Sequence, residues 1–490
     1  MSEQQLLKIR YEDALGHWRE QEKTALELLQ ITGELRFDRS VELLLFRRDI
    51  YDSRPSELIR DHKLSTLYAD KPVTVENTLT IAHAIAHLRD LAPSKLDIGK
   101  LAIEWRQQAE NYNDVDEFIG DKLQGHLGED KRHLVPKDVV LYGFGRIGRL
   151  VTRRLITQTG GGEQLRLRAI VLRPKLDDRG KELEKRASLL RNDSVHGEFP
   201  GVVEVSESTS ELIINGKRVR IIFAKHPTDI DYTEYGINDA IVIDNTGVWR
   251  DRDGLSLHMR PGVSQVMLTA PSPDIPNIVH GVNNKELDFE QDTIFCAASC
   301  TTNAIVPMLQ ILKDEYGIER GHLETIHSYT NDQNLLDNFH KKPRRGRGAP
   351  VNMVLTSTGA AKAVAKVIPE LGGKLTGNAV RVPTPNVSLA ILNLKLEKGT
   401  TVAELNETVR QAGLHGKLVE QIRYSDNEDY VSTDAIGMTS TSVFDAPSTI
   451  VADDGHHVTL YLWYDNEFGY SCQVVRLAKY VAQVRRLRYY

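Results

Sequence analysis

The chain has 490 residues, 40% hydrophobic and 27% charged, with a formal net charge of −6. That length suggests roughly two to four domains, and that balance a soluble globular protein with apolar material for more than one core. The negative charge gives no general case for nucleic acid or anionic membrane. No run of about 18 apolar residues suits a bilayer, and the polar first turns lack the apolar core of a leader. The three cysteines, Cys296, Cys300 and Cys472, cannot supply a disulfide framework and fit a reducing cytoplasm.

Residues 1–134 are expected to be an all-α segment. Ile98, Leu101, Ala102, Trp105 and Ala109 follow helical apolar spacing with Asp97 placed to cap them. Leu15, Trp18, Ala25, Leu26 and Leu29 form a less regular stripe. A third, Ile81, Ala82, Ile85, Leu88 and Ala92, ends at Pro93. The charged stretch 128–133 before Pro136 reads as a linker. From Val139 the texture changes. The apolar run 139–142 suits a buried strand, a glycine-rich turn follows, and a helical pattern covers 146–156. Strands at 165–172 and 240–243 continue the alternation that implies a parallel α/β sheet. Past Cys300 the pattern turns mixed, with strands at 379–382 and 387–394, and a last helix is expected at about 471–487. The expected domains are 1–134, a cofactor domain 135–299 completed by a C-terminal helix in 466–490, and a catalytic domain 300–465.

Gly143, Phe144, Gly145, Arg146, Ile147 and Gly148 form a GxGxxG turn between a strand and a helix. The first glycine allows the tight turn, the second close approach to a pyrophosphate, and the third close helix–strand packing. The helix N-terminus attracts the phosphates. Strand and helix context favours dinucleotide binding over a structural turn. The acidic residue usual at the end of the next strand is missing, and the strand closes on Arg173. Nothing there repels a 2′-phosphate, so NADP or dual use is favoured over NAD alone. Asp177 or Asp178 reaching back, with Arg173 a solvated loop charge, is the alternative.

Cys300 precedes the amphipathic stretch 304–316, which puts it at a helix N-terminus, where the dipole and free N–H groups lower a thiol pKa and can hold an oxyanion. Hydroxyl residues on both sides argue against an inert apolar site. His327 lies in a short β-like run among polar neighbours, but with 16 histidines in the chain it gains weight only from its context. Cys296 is either a packing residue or a redox partner of Cys300. The run 341–347 holds five basic residues and would pass alone for a nucleic-acid signal or a solvated loop.

The segments 143–149, 298–303, 327–333, 357–362, 381–386 and 463–470 occur in order. Together they resemble the glyceraldehyde-3-phosphate dehydrogenase family over about residues 137–490. The resemblance implies a Rossmann-type cofactor domain plus an α+β catalytic domain. It implies Cys300 as nucleophile and His327 as base in the reversible, NAD- or NADP-dependent conversion of glyceraldehyde 3-phosphate and inorganic phosphate to 1,3-bisphosphoglycerate. It assigns Arg381 and Thr330 to the substrate phosphate, and Ser299, Thr301, Thr358 and Gly359 to the attacking phosphate. Thr246, Gly247 and Thr269 are assigned to the cofactor, with Asn466 and Tyr470 near its nicotinamide. The basic run becomes a loop meeting anionic ligands and a neighbouring subunit, with Arg344 or Arg347 reaching phosphate. A cytoplasmic homotetramer without metal, nucleic-acid or membrane partners is expected. Erythrose-4-phosphate dehydrogenase and a non-catalytic cofactor sensor are the alternatives. The sequence departs from the family in the missing acidic residue and in Ala304, where a cysteine is common.

Overall fold

The computed structural model describes residues 3–128, 134–289, 291–356 and 358–490, with side chains from Arg10 onward. Most of the expected linker, residues 129–133, and Ser357 of one family segment lie outside the described residues. The chain divides into two compact units: Met1–Val135 with Gly160–Gln164 and Val484–Tyr490, and Pro136–Thr159 with Leu165–Gln483.

The first unit is mostly helical, as expected. Its long helix Glu3–Arg39 buries Ala25, Leu28, Ile31 and Leu35. Leu15, Trp18 and Leu26 of the expected stripe are exposed. The next stripe is helical only in part: helix Val75–His87, whose Thr74 cap accepts from Asn77 N, carries Ile81, Ala82 and Ile85, but it stops before Leu88, so Leu88 and Ala92 lie outside it. Asp97 caps helix Ile98–Gln108 as expected, accepting from Gly99 N and Lys100 N. The all-α expectation needs one correction. Strands Arg48–Asp49, Glu42–Leu45, Ser94–Asp97 and Leu487–Tyr489 form a four-stranded sheet, in that order. Four residues or fewer per strand are too few to show a period, and all four of Glu42–Leu45 are buried, so no alternation marks them.

The fourth strand also corrects the chain's end. The last helix is Phe468–Val481 rather than 471–487. Gln483 takes a left-handed φ of 55°, the helix stops, and Leu487–Tyr489 pairs in parallel with Ser94–Leu96. Arg486 is buried. Its Nε donates to Ser40 O at 2.8 Å, and its guanidinium pairs with Glu42 at 3.2 Å.

The second unit carries two eight-stranded sheets. One begins with parallel strands Ile294–Cys296, Val263–Leu268, Ala240–Asp244, Lys137–Tyr142, Leu165–Leu172 and Lys217–Phe223, and two antiparallel strands extend it. Lys137–Tyr142 sits between Leu165–Leu172 and Ala240–Asp244, so strand order reverses there. That reversal opens a crevice at the strands' C-terminal ends, the usual ligand position in a doubly wound sheet. The second sheet is mixed: Ile318–Ser328 pairs in parallel with Leu375–Val382 and antiparallel with Ser388–Leu396, which pairs with His457–Tyr464. Helix Cys300–Tyr316 supplies Ile305, Leu309 and Leu312 to the core on this sheet. The fold class is therefore a Rossmann-type sheet plus a mixed α/β catalytic region, preceded by a helical segment.

Candidate active site

The Rossmann crevice holds a cleft of about 340 Å³ lined by Gly143, Phe144 and Gly145 of the glycine turn. Gly143 has φ of 97°, which a side chain would strain. A Cβ on Gly148 would lie 2.4 Å from Gly143 O, so only glycine lets the helix start this close to the turn. Helix Arg146–Thr157 opens directly after it. These features fit a dinucleotide pyrophosphate. Arg146 does not line the cleft with its side chain. Its guanidinium pairs with Asp193 at 3.0 Å and with Glu467, so it ties the turn to the start of the last helix.

Thr246 lines the same cleft. Fully buried Asp244 fixes it by accepting from its N at 2.6 Å and its Oγ1 at 2.7 Å, and itself meets His258 Nε2 at 3.0 Å. Gly247 lies between two lining residues. Thr269 does not line the cleft, and its N and Oγ1 both donate to Asp244 O. Arg173 lines the cleft, together with four cations that the sequence reading did not single out: Arg149, Lys175, Arg186 and Lys225. None of the cleft's lining residues is acidic. Asp178 instead caps the following helix, accepting from Lys181 N. Buried Glu182 accepts from Lys175 N and Leu176 N at 3.0 Å and pairs with Arg186, also at 3.0 Å, which sets this loop. Strand pairing was the missing signal: Lys225 follows Lys217–Phe223, whose place beside Leu165–Leu172 is legible only in three dimensions.

In the second region Cys300 is the first residue of its helix, and Ser299 Oγ accepts from Thr302 N at 3.1 Å as the cap. Strand Ile318–Ser328 carries His327 to it, with Nε2 3.7 Å from Sγ. On the neighbouring strand, Arg381 Nη1 lies 2.6 Å from His327 Nδ1 and 2.8 Å from Ser328 O. Asn466 Oδ1 accepts from Ser328 Oγ at 3.0 Å and Ser388 Oγ at 2.9 Å. Tyr470 donates to Ala298 O at 2.9 Å and so anchors the turn before the cysteine.

The anion residues are only partly gathered. Thr301 Oγ1 meets Tyr464 OH at 3.0 Å, and Thr330 donates to Asp332 at 3.1 Å. Thr358 accepts from Ala360 N at 3.1 Å at the head of helix Ala360–Val367, with Gly359 exposed beside it. In the basic run the register differs from Arg344 or Arg347. Arg345 is the residue drawn inward, paired with Asp332 and donating to Thr356, whereas Arg347 pairs with Asp337 at 3.0 Å. Tyr464, buried between Thr301 and Thr325, was also missed, although it lies in the matched segment 463–470.

The electrostatics overturn one expectation. Burial pushes the Cys300 thiol up, despite the opposing pull of Arg381 and of Thr301 at the helix start. Burial first and Arg381 second push His327 down to about 3. Cys296 is buried, its thiol meets Ala270 O at 2.9 Å and Asn277 Oδ1 at 3.0 Å, and burial raises it to about 11. That environment suits packing rather than redox chemistry.

Residues 137–252 match the family described as glyceraldehyde 3-phosphate dehydrogenase, NAD binding domain, and residues 299–466 match its C-terminal domain. The glycine-turn cleft and these matches define an NAD-dependent dehydrogenase. A Pseudomonas aeruginosa (strain UCBPP-PA14) protein named glyceraldehyde-3-phosphate dehydrogenase-like protein is 47% identical over 464 residues, covering 93% of this chain and 98% of that protein. Glyceraldehyde-3-phosphate dehydrogenase from Clostridium pasteurianum is 40% identical over 353 residues (71% and 99%), and glyceraldehyde-3-phosphate dehydrogenase 1 from Bacillus cereus 41% over 340 (69% and 96%). The chain belongs to the glyceraldehyde-3-phosphate dehydrogenase family. The Pseudomonas alignment is longer than the whole of 137–490 and so extends into the helical first unit, whereas about seven-tenths of the chain spans nearly all of the other two.

Proposed function

We propose that the protein catalyses the reversible oxidative phosphorylation of D-glyceraldehyde 3-phosphate to 1,3-bisphosphoglycerate, as a cytoplasmic enzyme of glycolysis or gluconeogenesis. The observation that carries this reading is Cys300 Sγ at a helix start, 3.7 Å from His327 Nε2, with the Arg381 guanidinium alongside. Cys300 attacks the aldehyde carbon, and backbone N–H groups at the helix start hold the resulting oxyanion. His327 takes the hydroxyl proton as the carbon is oxidised to a thioester. Arg381 and Thr330 hold the substrate phosphate. Ser299, Thr301, Thr358 and Gly359 hold the inorganic phosphate, whose attack releases the acyl phosphate and regenerates the thiol. A bound nicotinamide cofactor supplies the hydride acceptor. The residues that would hold it are the turn from Gly143 to Gly148, Arg173, Thr246, Gly247 and Thr269, with Asn466 and Tyr470 toward the nicotinamide.

NADP or dual use is favoured, because five cations and no carboxylate line the cleft. Exposed Leu335, Leu336, Phe339, Val351 and Met353 gather apolar surface around the basic loop, which supports a homotetramer. The test is a steady-state assay of purified protein with glyceraldehyde 3-phosphate, phosphate and either NAD or NADP, run beside erythrose 4-phosphate, with light scattering for the assembly. Phosphate-dependent reduction of cofactor is expected, with higher kcat/KM for the triose. No reduction with either aldehyde overturns the reading.

A further inference from the structure

We propose that the first half of helix Glu3–Arg39 is a docking surface for a second copy of this chain, the two helices pairing antiparallel. The inference starts from how the helix is covered. None of the described residues from Arg10 to Thr24 is buried, whereas Ala25, Leu28, Ile31, Thr32 and Leu35 are. One seam runs through both halves. Tyr11, Leu15, Trp18, Glu22, Ala25 and Leu29 follow one another in alternating steps of four and three, the repeat that lets two helices wrap round each other. From Ala25 onward the chain's own first unit covers the seam. Before it the seam is bare: Tyr11 is 65%, Leu15 41% and Trp18 40% exposed.

Two physical arguments call for a partner there. A helix without tertiary packing is marginal in water, and Gly16 weakens this one further, with nothing within 4 Å of the position its Cβ would take. Three large apolar side chains in line on a bare helix are also a cost that burial removes. The charges then choose the partner. The residues beside the seam mix acids and bases, with Glu12, Asp13 and Glu20 among Arg10, Arg19 and Lys23. An anionic membrane surface needs a basic polar face, which this helix lacks. The same mixture is self-complementary.

Antiparallel pairing about a two-fold axis between Gly16 and His17 sets Leu15 against Trp18 of the partner subunit. It sets Tyr11 against Glu22 of the partner subunit, where the phenol donates to the carboxylate. Glu12 and Arg19 each stand one residue after a seam position and so share one flank. Glu12 therefore meets Arg19 of the partner subunit, twice over, as a two-fold contact requires. Parallel pairing in register brings Glu22 against Glu22 of the partner subunit, two like charges in the seam. It also sets Arg19 beside Ala14 of the partner subunit, with no carboxylate to meet. The surface belongs to the first unit and is separate in the chain from the apolar loop residues proposed to join the tetramer.

The test uses the full-length protein and reads the contact itself rather than the mass, because a tetramer joined through the basic loop would hide a second contact. Ala14→Cys places a thiol on the flank of the seam, and Asp13→Cys places one a single residue away on the far face of the helix. Each is treated with a short bismaleimide, and covalent dimer is scored on a denaturing gel. Cys296 and Cys472 are buried, and mass spectrometry separates any link through Cys300. Ala14→Cys is expected to give about tenfold more dimer than Asp13→Cys, since opposite faces of one helix cannot both reach the partner. In the Ala14→Cys chain, Glu12→Arg or Arg19→Glu should each cut the yield about fivefold, and the two together should restore it. All four positions are exposed, so none of these changes touches a core. Equal yields from the two thiols overturn the proposal, as does a double charge reversal that stays low. No dimer from Ala14→Cys also overturns it, and is the result expected if a different protein covers the helix.

Discussion

The two units bury charge in different ways. In the first, Arg36, Glu42, Asp97 and Arg486 are buried and Arg47 is half-buried, and their bonds join segments far apart in the chain. Asp97 accepts from Phe46 N at 3.0 Å and Arg47 N at 2.8 Å, and Arg486 reaches Ser40 and Glu42. In the second, Cys300, His327 and Arg381 converge on one point. Charge contacts between distant segments hold a fold together, whereas a thiol, an imidazole and a guanidinium converging on one point mark a place for chemistry. Burial of polar atoms alone locates neither.

The largest effect expected from breaking this contrast comes from Cys300→Ser. A hydroxyl at the helix start is far less ionised than a thiol, so kcat for the triose should fall on the order of 10³-fold or more in the steady-state assay. Stability of either unit should barely change. Next is Arg486→Ala, which leaves Glu42 buried with one cation fewer. Breaking a buried pair costs about 3–5 kcal/mol. Urea denaturation followed by hydrogen exchange should show that loss in Glu42–Leu45 and Ser94–Asp97. Turnover that collapses in parallel would erase the distinction between a structural unit and a chemical one.

The same contrast explains what could be read from the sequence. The glycine turn, the cysteine at a helix start and the strand that ends at Tyr142 were legible because each is local. A few consecutive residues fix the backbone, and the chemistry follows. His327 was legible only through the family resemblance, because its meeting with Cys300 depends on strand Ile318–Ser328 lying beside the cysteine helix. Lys225 and Arg186 escaped for the same reason, since their place in the cleft depends on strand order and on the Glu182 contact. Hardest was Leu487–Tyr489, a strand in the sheet of Glu42–Leu45 that is indistinguishable from a frayed helix end until its partner is known.

A smaller effect should sharpen the cofactor end of the comparison. Lys175 owes its position to Glu182, so Lys175→Glu places a carboxylate on a fixed loop. It should raise the KM for NADP about tenfold, the equivalent of one charge-assisted contact, with little change in the KM for NAD. Equal changes for both cofactors would mean that this loop serves the pyrophosphate rather than the 2′ position.

The smallest effect is a pH dependence that separates the units. His62 is buried in the first unit, with Nδ1 2.7 Å from Leu58 O and Nε2 2.8 Å from Thr78 Oγ1, and burial lowers its pKa from 6.5. A depressed imidazole means the unfolded chain takes up the proton first. The neutral-state stability is therefore complete above pH 6.5. It declines as pH falls below that value, until the folded ring also titrates. The slope from one group cannot exceed about 1.4 kcal/mol per pH unit. His327 carries the same sign in the second unit, over a window from 6.5 to about 3. Urea titrations at successive pH values, resolved by hydrogen exchange, should show both units weakening in acid. His62→Gln should flatten the dependence in the first unit only. If it flattened neither, the acid sensitivity of that unit would have to come from groups other than His62.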